Sequence, residues 1–427
     1  MPTPEWRTVI RWLIIRDGGA DVLTLAGALP ETELPGQLEE DEPEVPLAAL
    51  RAATGLQAVV LALHAPLRDE EGEVPTRRLT WLATLLPGSP LPPEAAWTRP
   101  DAPAGPPDSG PPWTSPAWHA EVTTWLADAL AARGGSLLGP LVQVRVWELS
   151  SVLRAATSGG TVYVKSSIAT PLFAEEGTVL ATLAELFPGQ VPTPLAVDAR
   201  RRLVALDAFG PEVGNTVEAA THARVLAQYA DLQVGSAARL DRLLAAGCRD
   251  RTLPWLAGQA ATWPLALDPA RPRYGCAAED WLTPQEVEAV HALAPELAEA
   301  AERLAGYGLP DSLVHGDLHL GNVATAGERY LFFDWTDAAV GHPFLDLISL
   351  YWQHSEDVRD AYLSRWTAYG PFDRLVEAWR LAKPLAAFNQ ALSFDAIAEV
   401  LPAGSNPQLP AMTARWLRRM LAGRREE

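Results

Sequence analysis

Residues 312–350 carry the side chains whose types and spacing suit chemistry on a phosphate. The segment reads SLVHGDLHLGNVATAGERYLFFDWTDAAVGHPFLDLISL. It places a His-Gly-Asp triplet at His315, Gly316 and Asp317, and an asparagine, Asn322, five residues after the aspartate. An apolar run, Tyr330–Phe333, then delivers a second aspartate, Asp334. Moving a phosphoryl group from a nucleotide calls for one carboxylate to accept the hydroxyl proton. It also calls for a carboxylate and an amide oxygen to hold Mg²⁺ against the phosphates. The same residues spell H-x-D-x-H through His315, Asp317 and His319, a pattern open to a metal-dependent hydrolase. That chemistry needs further ligands, such as a Gly-Asn-His block, and none of the eight histidines stands in one. A loop whose Asp and Asn merely cap turns would leave the strand and the second aspartate without a reason.

A kinase reading of such a loop calls for three elements upstream: a β-hairpin over the phosphates, a strand carrying lysine, and a helix carrying glutamate. Leu141–Trp147 reads as a strand, Leu149–Val152 as a loop containing Ser150 and Ser151, and Val152–Ala156 as the returning strand. Thr161–Lys165 follows as a β-branched, aromatic run. Lys165 stands out by composition: of 34 basic residues only Lys165 and Lys383 are lysines. A compact ammonium and a planar guanidinium are not interchangeable at a phosphate. A helix is expected over 172–186, where Glu176 falls on the apolar face of Val179, Leu180 and Leu183. A buried carboxylate needs a partner, and Lys165 is the obvious one; Glu175, about 100° round the helix, is the second candidate. Leu203–Leu206 reads as a strand running into Asp207, Ala208, Phe209 and Gly210. Beyond it, amphipathic spacing reads as helices near 218–247, 284–305, 345–366, 372–392 and 411–424.

HGDLHLGN followed by FFDW closely resembles the aminoglycoside phosphotransferase / choline kinase-like family, whose fold is similar to that of protein kinases. The resemblance runs from about residue 136 to the C-terminus. It implies an α+β, bilobal protein-kinase-like domain with a small β-rich lobe and a large helical lobe. It further implies Asp317 as catalytic base, Asn322 and Asp334 as Mg²⁺ ligands, His315 as the residue holding the loop, and Asp346 as its structural carboxylate. Lys165, Glu176, Ser150 and Ser151 become nucleotide-binding candidates, with Leu206, Asp207, Ala208 and Phe209 as a hinge beside the base. Trp335-Thr336 after Asp334 departs from the Asp-Phe-Gly of protein kinases. The activity implied is transfer of the γ-phosphoryl of ATP or GTP to a hydroxyl of a small molecule. The competing reading is a nucleotide- or metabolite-sensing pseudoenzyme of the same fold. Asp337, Glu356, Asp357, Asp360 and Asp395 are candidates to line a pocket for a cationic or polyhydroxylated acceptor, or else belong to solvated faces.

The first hundred residues read as α/β. Strand-like runs at 9–16 and 21–29 flank Asp17-Gly18-Gly19. An acidic stretch follows, then a helix ending at Gly55, then β-rich runs at 56–63 and 76–86. This order resembles a Nudix domain. Where that family's helix carries metal-binding Arg-Glu and Glu-Glu pairs, this sequence has Ala48-Ala49 and Ala52-Ala53, and alanine offers no lone pair to a hard cation. The expected organisation is a Nudix-like domain without hydrolase residues over 1–98 and a Pro-rich linker with a connecting helix over 99–135. A kinase-like N-lobe with hinge follows over 136–210, then a helical C-lobe over 211–427.

Composition narrows the partners. A net charge of −19 offers phosphates no broad cationic surface and argues against nucleic acid. No apolar run reaches the ~18–20 residues of a membrane span, and no secretory signal is readable. Two cysteines, Cys248 and Cys276, give no disulfide framework and fit a reducing cytoplasm.

Overall fold

The first of the chain's strands already shows the alternation that builds a sheet. β1 (Arg7–Arg16) buries Thr8, Ile10 and Trp12 in turn. A computed structural model describes residues 6–16, 19–72, 74–100, 110–214, 216–270, 276–346, 355–401 and 408–423, the side chains of 65–67 excepted. It divides into two units, residues 1–168 with 203–208, and residues 169–202 with 209–427.

In the first unit β1 runs antiparallel to β2 (Asp21–Leu25) and β3 (Glu31–Pro35). α1 (Glu44–Thr54) ends at Gly55, which takes φ 78° and donates its N–H to Arg51 O, a left-handed cap open to glycine. β4 (Ala58–Glu70) and β5 (Thr76–Leu85) form a hairpin whose second strand lies parallel to β1, and β6 (Ala95–Thr98) pairs with β2. The sheet order is β4-β5-β1-β2-β6. Residues 101–109 of the expected linker lie outside the described residues. α2 (Pro116–Ala131) starts on proline and buries Trp118, Val122, Leu126 and Leu130. β7 (Val142–Val146), β8 (Ser150–Thr157) and β9 (Gly160–Ser167) follow as an antiparallel meander. The chain leaves for the second unit with α3 (Glu176–Leu186) and β10 (Pro194–Asp198), then returns as β11 (Leu203–Asp207) against β9.

The rest of the second unit is mostly helical: α4 (Ala219–Ser236), α5 (Leu240–Ala245), β12 (Arg249–Arg251), α6 (Leu253–Thr262) and α7 (Pro284–Ala305). A Thr283/Glu286 capping box starts α7. β13 (Ser312–Val314), β14 (Val323–Ala326), β15 (Arg329–Phe332) and β16 (Ala339–Gly341) carry the segment of interest. β13 and β12 flank β16, and β14 and β15 make a short hairpin. α8 (Glu356–Leu363), α9 (Phe372–Val400) and α10 (Gln408–Gly423) close the chain. Phe344, Tyr362, Trp366 and Trp379 pack edge-on or tilted with ring centroids 5.9–6.4 Å apart, an apolar knot behind the loops.

A β-rich first part and a helical second part give the α+β class expected. Local differences are instructive. The helix expected over 172–186 begins only at Glu176. The helix expected over 218–247 is the pair α4 and α5, and that over 372–392 continues to Val400. Of the helix expected over 345–366, residues 347–354 lie outside the described residues. α6 was not foreseen.

Candidate active site

The loop after β13 is anchored by one buried carboxylate. Asp346 Oδ2 accepts from His315 N at 2.7 Å, and its Oδ1 accepts from Gly316 N at 2.8 Å. The Tyr229 hydroxyl on α4 also donates to Oδ2. Gln233, one turn on, donates to Leu313 O at 3.0 Å and accepts from the Tyr362 hydroxyl. Burial pushes the Asp346 carboxyl up to about 6, against the hydrogen bonds from Tyr229, His315 and Gly316 and the charge of Arg251, which pull it down. Gly316 takes φ 85°, and a Cβ there would sit 2.5 Å from Asp337 Cβ and 2.6 Å from Asp337 O. Only glycine fits that approach. Gln390 on α9 donates to Gly316 O, bracing the peptide that follows, between Gly316 and Asp317.

His315 is fully buried, tilted against Trp335 with centroids 4.5 Å apart. Its Nε2 lies 2.8 Å from Phe333 O, and a carbonyl partner makes that nitrogen the donor. The loop is thereby tied to the strand that ends at Asp334. Asp317, in contrast, is exposed, with its Oδ2 3.8 Å from His319 Nε2. His319 Nδ1 accepts from Gly321 N, so a neutral His319 carries its proton on the nitrogen facing Asp317.

Asn322 and Asp334 come together through the backbone: Phe333 N donates to Asn322 O at 3.0 Å. Asn322 Nδ2 donates to Asp317 O at 2.9 Å, which fixes the amide and leaves Oδ1 as its oxygen donor atom. Asp334 has φ 65°, a left-handed conformation that is costly for a residue bearing a Cβ and is concentrated at functional sites. The Thr336 hydroxyl lies 3.0 Å from Asp334 Oδ1 and 3.1 Å from Glu176 Oε2. Glu176 is the first residue of α3 and buried, while Glu175 is the cap, accepting from Gly177 N and Thr178 N. The two glutamates are thus sorted: Glu176 faces Asp334 through Thr336, and Glu175 serves its own helix.

In the first unit Lys165 sits on β9, opposite Val152 and Val204. The hairpin turn is Trp147-Glu148-Leu149, not the expected Leu149–Val152, because Ser150 and Ser151 already belong to β8. Register puts Ser150 opposite Ser167 and Ser151 opposite Ser166. Ser150 therefore shares a face with Lys165, and its hydroxyl accepts from Trp147 Nε1 at 2.7 Å. Ser151 is fully buried on the opposite face. Leu206 and Asp207 end β11, Ala208 N donates to Thr161 O, and the chain crosses into the second unit at Phe209. Phe209 stacks at 5.2 Å on Phe333, the neighbour of Asp334.

Four of the five acids proposed for an acceptor pocket have defined neighbours. Glu356 and Asp360 pair with Arg359, and Asp395 is buried, accepting from Trp263 Nε1. Asp337 lies against Gly316. Residues that sequence reasoning missed include Tyr229, Gln233, Thr336 and Gln390. A polar pair at i, i+4 inside the apolar stripe of α4 was the available signal for the first two.

The sequence model of the APH phosphotransferase enzyme family matches residues 147–385, the span from the hairpin turn to the middle of α9. No curated protein sequence matches the chain. Among solved structures the chain is similar to a macrolide 2′-phosphotransferase type I at 20% identity, covering 69% of this chain and 96% of that one with a TM-score of 0.47. It is also similar to a choline/ethanolamine kinase family protein from Mesorhizobium loti, at 17% identity, 72% and 99% coverage and a TM-score of 0.46. A spectinomycin phosphotransferase in complex with ADP and spectinomycin gives 11% identity, 70% and 98% coverage and a TM-score of 0.44. The family assignment rests on the sequence match. That match spans more than half of the chain and contains the Asp317 loop and the Asp334 strand end, so the chain belongs to the APH phosphotransferase enzyme family and is a small-molecule phosphotransferase.

Proposed function

We propose that the chain transfers the γ-phosphoryl group of ATP or GTP to a hydroxyl of a small molecule, with Asp317 accepting the hydroxyl proton. The observation that carries this reading is the Asp346 clamp. Two backbone N–H groups held by one buried carboxylate fix His315 and Gly316, and so the exposed Asp317 that follows, beside Asn322 and Asp334. His319 Nε2 lies 3.8 Å from Asp317 Oδ2, an ion-pair distance when the imidazole is protonated.

Among the described residues no three His, Cys, Asp or Glu side chains gather into a metal cluster. Mg²⁺ does not require one, since it uses one or two protein oxygens and completes its shell with phosphates and water. Asn322 Oδ1 and an Asp334 carboxylate held in a strained backbone fit that demand, and these two would hold the ion. When bound, Mg²⁺ neutralises charge on the phosphates. Lys165 is the residue we assign to the nucleotide phosphates, with Ser150 and the backbone of the 147–149 turn beside it and Glu176 orienting the site. Leu206, Asp207, Ala208 and Phe209 keep their proposed place beside the base.

The organisation we propose keeps residues 1–98 as a Nudix-like domain without hydrolase chemistry, 99–135 as linker and helix, 136–210 as the β-rich lobe and 211–427 as the helical lobe. The acceptor is a small hydroxylated molecule, cationic or polyhydroxylated, and the setting is cytoplasmic, where the buried free Cys248 and Cys276 stay reduced. Among the described residues no helix is long and apolar enough to cross a membrane.

The test is Asp317→Asn, scored by phosphate transfer from labelled ATP and GTP across a panel of choline-like, amino-alcohol, sugar and macrolide acceptors. Turnover should fall by about a thousandfold, the usual worth of a positioned proton acceptor, while Mg-nucleotide still raises the unfolding midpoint. Stabilisation by Mg-nucleotide with no transfer by the parent protein to any acceptor would favour the sensor reading instead.

A further inference from the structure

The strands on either side of the 147–149 turn are gripped by residues that precede the family match. Gln143 on β7, 2% exposed, spends both ends of its amide on the backbone of β4. Its Oε1 accepts from Val60 N at 2.6 Å, and its Nε2 donates to Val60 O at 2.8 Å. β4 and β7 are each the edge strand of their sheet, so one side chain satisfies an edge residue as a neighbouring strand would. Further along, Val146 N donates to Asp41 O at 2.9 Å, and Arg145 Nε donates to Asp41 Oδ2. Arg154 on β8 closes a two-pronged pair with Glu44. Trp113 Nε1 donates to Trp147 O at 2.9 Å. The turn is also pinned internally, since Trp147 N donates to Ser150 O and its indole to Ser150 Oγ.

We propose that the N-terminal sheet is a brace for this hairpin, and that Gln143 and Asp41 are positioning residues that set the affinity for nucleotide phosphates. The proposal rests on the reading that the hairpin meets the nucleotide. A turn without glycine, held from outside, presents its N–H groups to phosphate already ordered, and pre-ordering lowers the entropic cost of binding. The chain thereby gives its N-terminal hundred residues a part in the reaction that needs no chemistry of their own.

The experiment uses the full-length protein and two readouts. Amide exchange is followed over residues 146–152 without nucleotide, and Mg-ATP and Mg-GTP affinities are measured by calorimetry. Gln143→Leu should speed exchange over 146–152 and weaken the better-bound nucleotide by about tenfold, as lost pre-ordering predicts. Nucleotide hydrolysis at saturation should stay near the parent rate. A merely structural role would lower the unfolding midpoint and leave the affinity alone. Asp41→Ala and Glu44→Ala, which strip exposed or half-exposed charge pairs, should shift both readouts the same way by less, and they decide the matter if Gln143→Leu does not fold. Unchanged exchange and affinity in folded variants overturns the brace. A parent that binds neither nucleotide overturns the phosphotransferase reading and the proposal with it, and the exchange arm tells that failure apart by reporting whether the brace still holds the hairpin.

Discussion

Thr336 offers one hydroxyl proton to two carboxylates, Asp334 and Glu176, and is itself buried. It can donate to only one of them at a time, so the two compete for that proton, and the position of α3 is coupled to that of Asp334. Protein kinases place a movable Phe-Gly after this aspartate; here Trp335 is fully buried with its indole donating to Phe332 O, and Thr336 is fixed by the Ala174 N–H on its carbonyl. Thr336→Val keeps shape and removes the hydroxyl. A hydrogen bond to a charged group is worth about 1.5–3 kcal/mol, so kcat/KM for the nucleotide should fall between about tenfold and a hundredfold. Thr336→Ser should restore most of it. Steady-state kinetics at varied Mg²⁺ is the check, and a Val variant with the parent's Mg²⁺ dependence would remove Thr336 from the site. The roles at this scale were half legible in the sequence. The roles proposed for Asp317, Asn322 and Asp334 rest on their spacing, whereas Thr336 and Gln390 make contacts 160 and 74 residues away in the chain, where no local pattern marks them.

At the scale of elements, the loop and the start of α3 are both set by buried polar partners rather than by propensity. The carbonyls of Leu172, Phe173 and Ala174 each accept from an arginine, Arg251, Arg249 and Arg202 respectively. Those bonds occupy the acceptors a helix would use, which is why apolar periodicity over 172–186 overestimates α3 by a turn. Sequence reading follows side-chain spacing and is blind to carbonyls spent on distant guanidinium groups. The loop's dependence on Asp346 has a measurable sign. Its carboxyl titrates near 6 in the fold and near 3.8 when unfolded. Below about pH 4 both states hold the proton; between there and about 6 only the folded state does. Ionised Asp346 therefore costs stability above pH 6, on the order of 1–3 kcal/mol, while turnover needs that same ionised form to accept from both His315 N and Gly316 N. Unfolding free energy should lose this contribution as pH rises from 4 to 6, and turnover should rise over the same interval. Asp346→Asn should flatten the stability slope and depress activity at every pH; denaturant titrations at stepped pH read the first and a rate profile the second. A slope that survives the substitution would assign the titration to another group.

For the molecule as a whole, the sequence sets a boundary at the Pro-rich run, while contacts of Gln143, Asp41 and Glu44 link segments on both sides of that run, which belong to one unit. Side-chain contacts across 83 to 110 residues obey geometry, and hydrophobic periodicity says nothing of them. Charge is the global property that the sequence does state outright. With 53 acidic and 34 basic residues the net charge is −19, and self-repulsion of that size weighs against the compact state. Opposing it are pairs such as Arg11–Glu31 and Arg78–Glu70, roughly half exposed, each worth about 0–1 kcal/mol and weakened by salt. Raising the ionic strength from about 0.01 M to about 0.1 M shortens the screening length from about 30 Å to about 10 Å. Repulsion summed over many long distances is screened more than attraction at contact, so the balance favours the folded state. The unfolding midpoint in sodium chloride should therefore rise across that interval. Scanning calorimetry without Mg²⁺ or nucleotide isolates the effect, because either ligand would add its own binding free energy. A midpoint that falls with salt would mean that the ion pairs outweigh the excess of acid, and that the brace contacts Asp41–Arg145 and Glu44–Arg154 carry more of the stability than their exposure indicates.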